Sequence, residues 1–376
     1  MLTFDGHVGL IQRVLPEYRA SFFDTLAGLC RGGLDVFAGE PRPAESIQTA
    51  QKLNAAHLTL GRNLHLFSGK AYLCLQLGLI DWLRETRPDV LIVEANPRYL
   101  RTPAAIRWMH SHGKPVIGWG LGAPQITGPF RRLRGSSRHR LLKQFDALIT
   151  YSQQGAEQYC ALGFPAQRVF VAPNAAAPRP NHPLPQRSAS FTGAPRLLFV
   201  GRLQARKRLD VLLRACAMLP AQIQPDLDIV GDGPARAELE TLASAVYPRA
   251  KFHGAHTGDA LLPFYAAADL FVLPGTGGLA VQQAMAHALP VMVAEADGTQ
   301  ADLVRPGNGW QLPTGVDEKS LADALSQALA QPSRLREMGV ESFRIVREEI
   351  NLETMAEVFI GAIGSIINVD RSTSPK

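Results

Sequence analysis

An arginine and a lysine stand close together in "LLFVGRLQARKRLDVLLRA", just after an apolar run that ends at Gly201. Arg202 offers a planar fork of donors and Lys207 a compact point charge, a combination that suits a phosphate or a diphosphate. Further on, "LDIVGDGP" sets Gly231 and Gly233 around Asp232, with Pro234 at a helix start where its missing N–H costs nothing. A third stretch, "PGTGGLAVQQAMAHALPV", carries Gly277 and Gly278 ahead of Leu279. The helix that follows directs free N–H groups and the positive end of its dipole at whatever lies before it. Gln282 and Gln283 come next, Gln282 expected at the surface and Gln283 on one face with His287. All three stretches favour an anion. The plain alternative for each is a solvated loop.

The first half has its own group. "IQRVLPEYRASFFDTL" places Arg13, Tyr18 and Arg19 in the loop after a strand, and "KPVIGWGLGAPQ" ends another strand at Gly120, Leu121 and Gly122. "PFRRLRGSSRHRLLK" (129–143) contains Arg131, Arg132, Arg134, Arg138, Arg140 and Lys143 and no acid. That run suits anionic lipid headgroups, at roughly 1 kcal/mol per basic residue. It has too little aromatic interleaving for single-stranded nucleic acid, so no nucleic-acid partner is expected. Cys30, Cys74, Cys160 and Cys216 are scattered, with neither metal nor redox spacing. Asp226 and Asp228 resemble a metal–diphosphate pair, but they begin a strand and so lie at the wrong end of it. No metal site is expected.

These residues need elements to hold them. Apolar runs at 8–14, 34–39, 89–95, 114–120, 147–152 and 168–174 read as strands. Helix-period segments separate them, among them "YRASFFDTLAGLC", "AYLCLQLGLIDWLRET" and "RTPAAIRWMHSHG". After a proline-rich stretch the alternation resumes in "RLLFVGR", "LDIVGDG", "AKFHGA", "DLFVLPG", "PVMVAEA" and "GWQLP". Nearly continuous apolar strands alternating with helices predict α/β architecture, with two Rossmann-like parallel-sheet domains facing a cleft. The expected division is 1–178, a linker at 179–195, 196–345, and a C-terminal helical segment at 346–376 that returns to the first domain. In such sheets ligands sit beyond the carboxyl ends of the strands, where the residues above are placed.

The chain has 376 residues, a net charge of +6 and a composition typical of a folded globular protein. No uncharged apolar run reaches the roughly 18 residues that span a bilayer. The N-terminus lacks a basic leader, so a cytoplasmic location is expected, with a possible peripheral hold on the inner face of the membrane through 129–143.

"VGRLQARK", "IVGDGP" and "GGLAVQQAMAHALPV", in that order, resemble the family 4 glycosyltransferases, closely over about 196–312 and loosely over the first half. The resemblance implies a GT-B fold and a retaining, metal-independent transfer. The sugar would move from a nucleoside-diphosphate donor, UDP- or GDP-linked, to a glycan or lipid-linked acceptor in cell-envelope or exopolysaccharide synthesis. No cofactor is implied, since the nucleotide sugar is a co-substrate. Arg202 and Lys207 would neutralise the diphosphate. Gly201, Gly231, Asp232, Gly233, Gly277, Gly278, Leu279 and Gln283 would line the donor, and Arg13, Tyr18, Arg19, Gly120 and Gly122 the acceptor side. The family pattern has two glutamates where this chain has Gly275 and Gln283. It also has, in some members, a histidine near Leu121. These departures leave a second reading, a non-catalytic glycosyltransferase-like partner subunit.

Overall fold

The structure, a computed structural model, describes residues 2–45, 47–128, 130–277, 279–295 and 300–372. Two compact units divide the chain. One comprises the chain up to Ala176 together with Leu352 onward, and the other is Ala177–Asn351.

The first unit is built on an eight-stranded sheet: β1 (Val8–Val14), β2 (Leu34–Gly39), β3 (His57–Leu66), β4 (Leu73–Leu77), β5 (Val90–Glu94), β6 (Val116–Gly120), β7 (Ala147–Thr150) and β8 (Val169–Val171). Their order is β4-β3-β2-β1-β5-β6-β7-β8, parallel except for the β3–β4 pair. That pair corrects the sequence reading, which took "AYLCLQLGLIDWLRET" as one helix. Leu73–Leu77 is instead a strand with Cys74 and Gln76 buried, and the helix covers only Leu79–Thr86. Two buried amides fasten the hairpin to the sheet. Asn63 donates to the Arg13 and Glu40 carbonyls, and Gln76 to the Gln12 carbonyl.

The last helix, Leu352–Ser372, packs on helix Ala20–Ala27 of the same unit. Phe359 meets Phe22 at 5.1 Å and Trp119 at 4.9 Å between ring centroids. Within Pro332–Ile367 one stretch is long and apolar enough to cross a membrane. Its hydrophobicity is put to use in packing, since Met355, Ala356, Phe359, Ile360 and Ile363 are buried in the core of this unit.

The second unit holds a six-stranded parallel sheet: β9 (Arg196–Val200), β10 (Asp226–Val230), β11 (Ala250–Phe252), β12 (Leu270–Leu273), β13 (Val291–Ala294) and β14 (Gly309–Leu312), ordered β11-β10-β9-β12-β13-β14. The four inner strands bury nearly every side chain, as continuous apolar runs between two helical layers must, while the edge strands β11 and β14 are partly open. In each sheet the order reverses direction once, between β1 and β5 and between β9 and β12. Such a reversal opens a crevice at the carboxyl ends of the strands.

The proline-rich 179–195 stretch is no loose tether. Arg187 donates to the carbonyls of Tyr265 (2.8 Å), Ala266 (3.2 Å), Ala268 and His287 (2.9 Å), closing off two helix ends. His182 stacks on His287, which in turn stacks on Tyr265. Burial, with the charges of His182 and Arg187, pushes the His287 imidazole down to about 4.

Gln282, expected at the surface, is buried. Its Oε1 accepts from Ala177 N at 3.0 Å, and its Nε2 donates to the Ile350 carbonyl at 2.5 Å. Residues 177 and 350 are where the chain enters and leaves this unit, so one amide fastens both ends. Gln282→Leu keeps the volume but strands two buried backbone groups. It should cost on the order of 2–4 kcal/mol. Urea unfolding would show this as a lower midpoint for the second unit, with native far-UV circular dichroism retained.

Candidate functional site

In the second unit, three post-strand loops are joined at the carboxyl edge of the sheet. Leu203 N donates to the Asp232 carbonyl at 2.9 Å, and Ala235 N to the Leu203 carbonyl at 3.1 Å. Thr276 N reaches the Arg206 carbonyl at 3.0 Å, and Arg206 donates to Thr276 Oγ1 at 3.1 Å. Gly201, Arg202 and Lys207 follow β9, and Gly231, Asp232 and Gly233 follow β10. Gly275 and Gly277 follow β12. Gly278 lies outside the described residues, and Leu279 begins the helix Leu279–Ala286. The loops after β9 and β12 therefore flank the point where the sheet order reverses.

Lys207 is the feature around which these loops are arranged. It is 9% exposed, in a 3₁₀ turn Ala205–Lys207. Its Nζ lies against Gly277, whose φ of +124° suits glycine and whose missing Cβ makes room for the ammonium. Among the described residues no carboxylate lies within ion-pair distance. Burial, and after it the Arg206 charge, pull the ammonium down to about 8. Arg202 is exposed directly after the strand. A buried cation beside a glycine turn and a helix amino end has the electrostatics that favour an anion.

The other predicted donor residues vary. The Asp232 carboxylate is bound within its own loop, to Gly233 N at 2.6 Å and Arg236 at 3.0 Å. Gln283 is exposed, and its Oε1 accepts from Tyr265 OH at 3.2 Å, which leaves the amide hydrogens for other partners. Gly275 has a sharper explanation. A Cβ there would fall on the Arg206 carbonyl oxygen and the Lys207 backbone. The chain leading to Lys207 occupies the space a side chain at 275 would need. Asp226 pairs with Arg249 at 2.9 Å and Asp228 with His253 at 2.7 Å, both as structural partners.

In the first unit the carboxyl ends of β1 and β5 bring together Arg13, which lies in β1 rather than in the loop after it, Tyr18 and Arg19 of the following turn, and a residue that motif reading passed over, Glu94. Arg13 pairs with Glu45 at 2.9 Å. Burial works against that carboxylate, but bonds from Arg13 and Arg42 hold it down to about 2. Arg19, expected in the loop after the first strand, lies in a 3₁₀ turn there and is 7% exposed. It donates to Asn174 Oδ1 at 2.6 Å and lies over the rings of Trp119 (5.5 Å) and Tyr151 (5.3 Å). Tyr18 is exposed, with its ring 5.6 Å from the same guanidinium.

Glu94 ends the central strand and accepts from Arg13 N. Its carboxyl lies deep among protein atoms while the residue keeps part of its surface open. Burial pushes it up to about 7, against the pull of the Arg13 and Arg19 charges. A carboxylate closing an otherwise apolar strand, "VLIVE", was the available signal. Gly120 and Gly122 serve packing. A Cβ at Gly120 would meet Tyr159 OH, and one at Gly122 would meet Gly155 and Gln158. Helix Arg131–Leu142 carries its arginines as expected, and Phe130 and Leu133 beside them are 76% and 69% exposed.

Comparison with known proteins matches this geometry to two family models. "Glycosyl transferase 4-like domain" covers residues 19–175, and "Glycosyl transferases group 1" covers 194–331. The GDP-mannose-dependent alpha-mannosyltransferase of Mycolicibacterium smegmatis is 39% identical over 153 residues, 40% of this chain and 38% of that protein. A protein of the same name from Mycobacterium tuberculosis is 36% identical over 162 residues, 42% of this chain and 40% of that one. The chain thus aligns with about two fifths of the length of these relatives. Among solved structures, Anabaena Alr3699/HepE in complex with UDP and glucose superposes with a TM-score of 0.67 at 18% identity. That alignment covers 96% of this chain and all of the other.

Gly275→Glu, which writes back a glutamate of the family pattern, should displace the 206–207 backbone and with it Lys207. The expected outcome is a loss of at least about 1–3 kcal/mol in thermal unfolding, with no gain in nucleotide binding. A variant as stable as the parent would show that the segment before Lys207 does not need that space.

Proposed function

Because the chain belongs to the family 4 glycosyltransferases of GT-B fold, we propose that it moves a sugar from a nucleoside-diphosphate sugar to a hydroxyl of a glycan or lipid-linked acceptor. The transfer keeps the anomeric configuration and uses no metal ion. The observation that carries this reading is the buried ammonium of Lys207 against Gly277, with no carboxylate within ion-pair distance among the described residues.

As the bond from the anomeric carbon to the diphosphate breaks, positive charge grows on the sugar ring and negative charge on the departing phosphate. Lys207, Arg202 and the amino end of helix Leu279–Ala286 stabilise the second of these. The acceptor hydroxyl attacks from the face the diphosphate leaves, and a phosphate oxygen takes its proton. Gly275 has no side chain to touch the donor sugar, so backbone groups of the 275–277 turn take that role. The relatives named for GDP-mannose favour a GDP-linked donor, and the fold neighbour named with UDP keeps uridine as the alternative.

The reading is tested by thermal stabilisation with GDP, UDP and GDP-mannose in the presence of EDTA. A nucleotide at 100 times its dissociation constant should add about 2.7 kcal/mol. Lys207→Ala and Arg202→Ala should each abolish most of that gain. Affinity should also weaken as pH rises through about 8, where Lys207 loses its proton, and Lys207→Ala should lack this dependence. If no nucleotide stabilises the protein, the non-catalytic partner reading takes over, with Gly275 as the mark of a lost donor site.

Cell-envelope or exopolysaccharide acceptors are built at membranes, and the basic helix Arg131–Leu142 with exposed Phe130 and Leu133 fits a peripheral hold on the cytoplasmic face. Co-sedimentation should show binding to vesicles containing phosphatidylglycerol and none to pure phosphatidylcholine. A Phe130→Ser, Leu133→Ser double variant should lose most of that binding.

A further inference from the structure

We propose that the second unit holds a phosphate-binding site at the edge of its sheet opposite Lys207, in a cavity walled by Arg187, Arg196 and Arg336. The ligand is a small phosphate-bearing anion, either inorganic phosphate or a sugar phosphate. No part of this depends on the transferase reading.

Place is the first argument. A cavity of about 490 Å³ lies between the last part of the proline-rich stretch, the amino ends of β9 and β10 and the chain entering β12. Arg196 and Asp226 are the first residues of β9 and β10, and Asp269 immediately precedes β12. Arg336 reaches it from helix Pro332–Glu348. The turn carrying Lys207 follows the carboxyl end of β9, so the two places lie at opposite edges of one sheet.

Charge is the second. The three arginines share the wall with two carboxylates, and both of these are already engaged. Asp226 pairs with Arg249 at 2.9 Å. Asp269 accepts from Arg336 at 2.6 Å and from the backbone N–H of Arg196 at 2.9 Å. Behind them, Asp228 pairs with His253 and stands 3.8 Å from Arg196. The bonds of Arg187 all go to neutral carbonyls. Burial, and after it the Arg336 charge, pull Arg187 down to about 10 against the charge of Asp269. A guanidinium disfavoured in this way gains from a neighbouring anion.

Donor capacity is the third. Arg187 Nε, Arg196 Nε and Arg336 Nη1 are each buried without a hydrogen-bond partner. Arg187 and Arg336 also fasten the proline-rich stretch to the unit, Arg336 Nε donating to the Ser188 carbonyl at 2.7 Å, but that fastening uses their other nitrogens. A buried polar group left unbonded costs stability, and such groups call for an explanation. Three of them around one cavity point to acceptors that the chain does not itself contain. Phosphate oxygens supply negative charge and several acceptors at once, which suits the guanidinium fork. The three nitrogens are shielded from solvent, so an anion reaches them as the side chains turn towards it. Arg196 has the most room to turn, with 39% of its side chain exposed against 15% for Arg336. Ser188, Ser190 and Thr192, also in the wall, add hydroxyl donors.

The test is calorimetric titration of the full chain with inorganic phosphate and with glucose 6-phosphate, at ionic strength held constant with sodium chloride. The parent should bind at least one of them saturably. Arg196→Gln should weaken that binding about tenfold or more. Thr192→Glu, which sets a tethered carboxylate on the exposed wall of the cavity, should abolish it with native far-UV circular dichroism retained. Lys207→Ala removes the buried cation at the other edge of the sheet and should leave this binding in place. Tighter binding of glucose 6-phosphate than of phosphate supports a sugar-phosphate site, and equal binding supports a site for the phosphate group alone. No saturable binding by the parent, binding unchanged in both Arg196→Gln and Thr192→Glu, or binding lost only in Lys207→Ala overturns the proposal. None of these outcomes depends on whether GDP or UDP stabilises the protein.

Discussion

Lys207 is buried against Gly277 with a second cation, Arg206, as its charged neighbour and, among the described residues, no carboxylate within ion-pair distance. Desolvating an ammonium without a counter-charge is expensive, and a fold keeps such a group only where the rest of the structure holds it there. The surrounding loops do so. The 3₁₀ turn fixes the backbone, Thr276 bonds back to Arg206, and Gly277 leaves the ammonium its space. Gly275 then has to be glycine, because the chain bringing Lys207 into place fills the volume of any side chain there. A departure from the family pattern that looks like a lost carboxylate is thus also the geometric condition for this buried cation. On the transferase reading a donor diphosphate would supply negative charge there and lift the lysine back towards its ordinary protonation.

The first unit presents the opposite case at the matching place in its own sheet. There the group is a carboxylate, Glu94, which burial raises against the pull of Arg13 and Arg19 and which accepts from Arg13 N. Both sheets spend their strand-order reversal on one poorly solvated charge.

Much of this architecture was legible in the chain. Runs such as "VLIVE" and "RLLFV" are continuous apolar strands that only a doubly covered parallel sheet accommodates, and the glycines at their carboxyl ends marked the loops correctly. The β3–β4 hairpin was hidden because it lies at an edge, where half-exposed strands lose the continuous apolar signal and "LCLQL" merges with the helix behind it. Arg19 was hidden for another reason. A single arginine gives no sign in sequence that four aromatic or amide partners, from residues 18, 119, 151 and 174, will converge on it. Glu94 carries a local sign, an acid ending an apolar strand, but its meaning depends on β5 lying beside β1, and strand order is a property of the whole sheet.

The paired glutamines do different work, and at Gln282 only an amide can do it. Gln282 must accept from the N–H of Ala177 and donate to the carbonyl of Ile350 at once. An ionised carboxylate can only accept, so a glutamate there would face the Ile350 oxygen with a second negative atom. Gln283 looks the other way, exposed and bonded to Tyr265, whose ring stacks on His287 and, through it, on the 179–195 stretch. One residue closes the second unit where the chain enters and leaves it, and the next joins that closure to the helix whose amino end faces the anion site. Changes at 282 are therefore expected to be felt as stability and changes at 283 as ligand affinity, although the two side chains are adjacent and chemically identical.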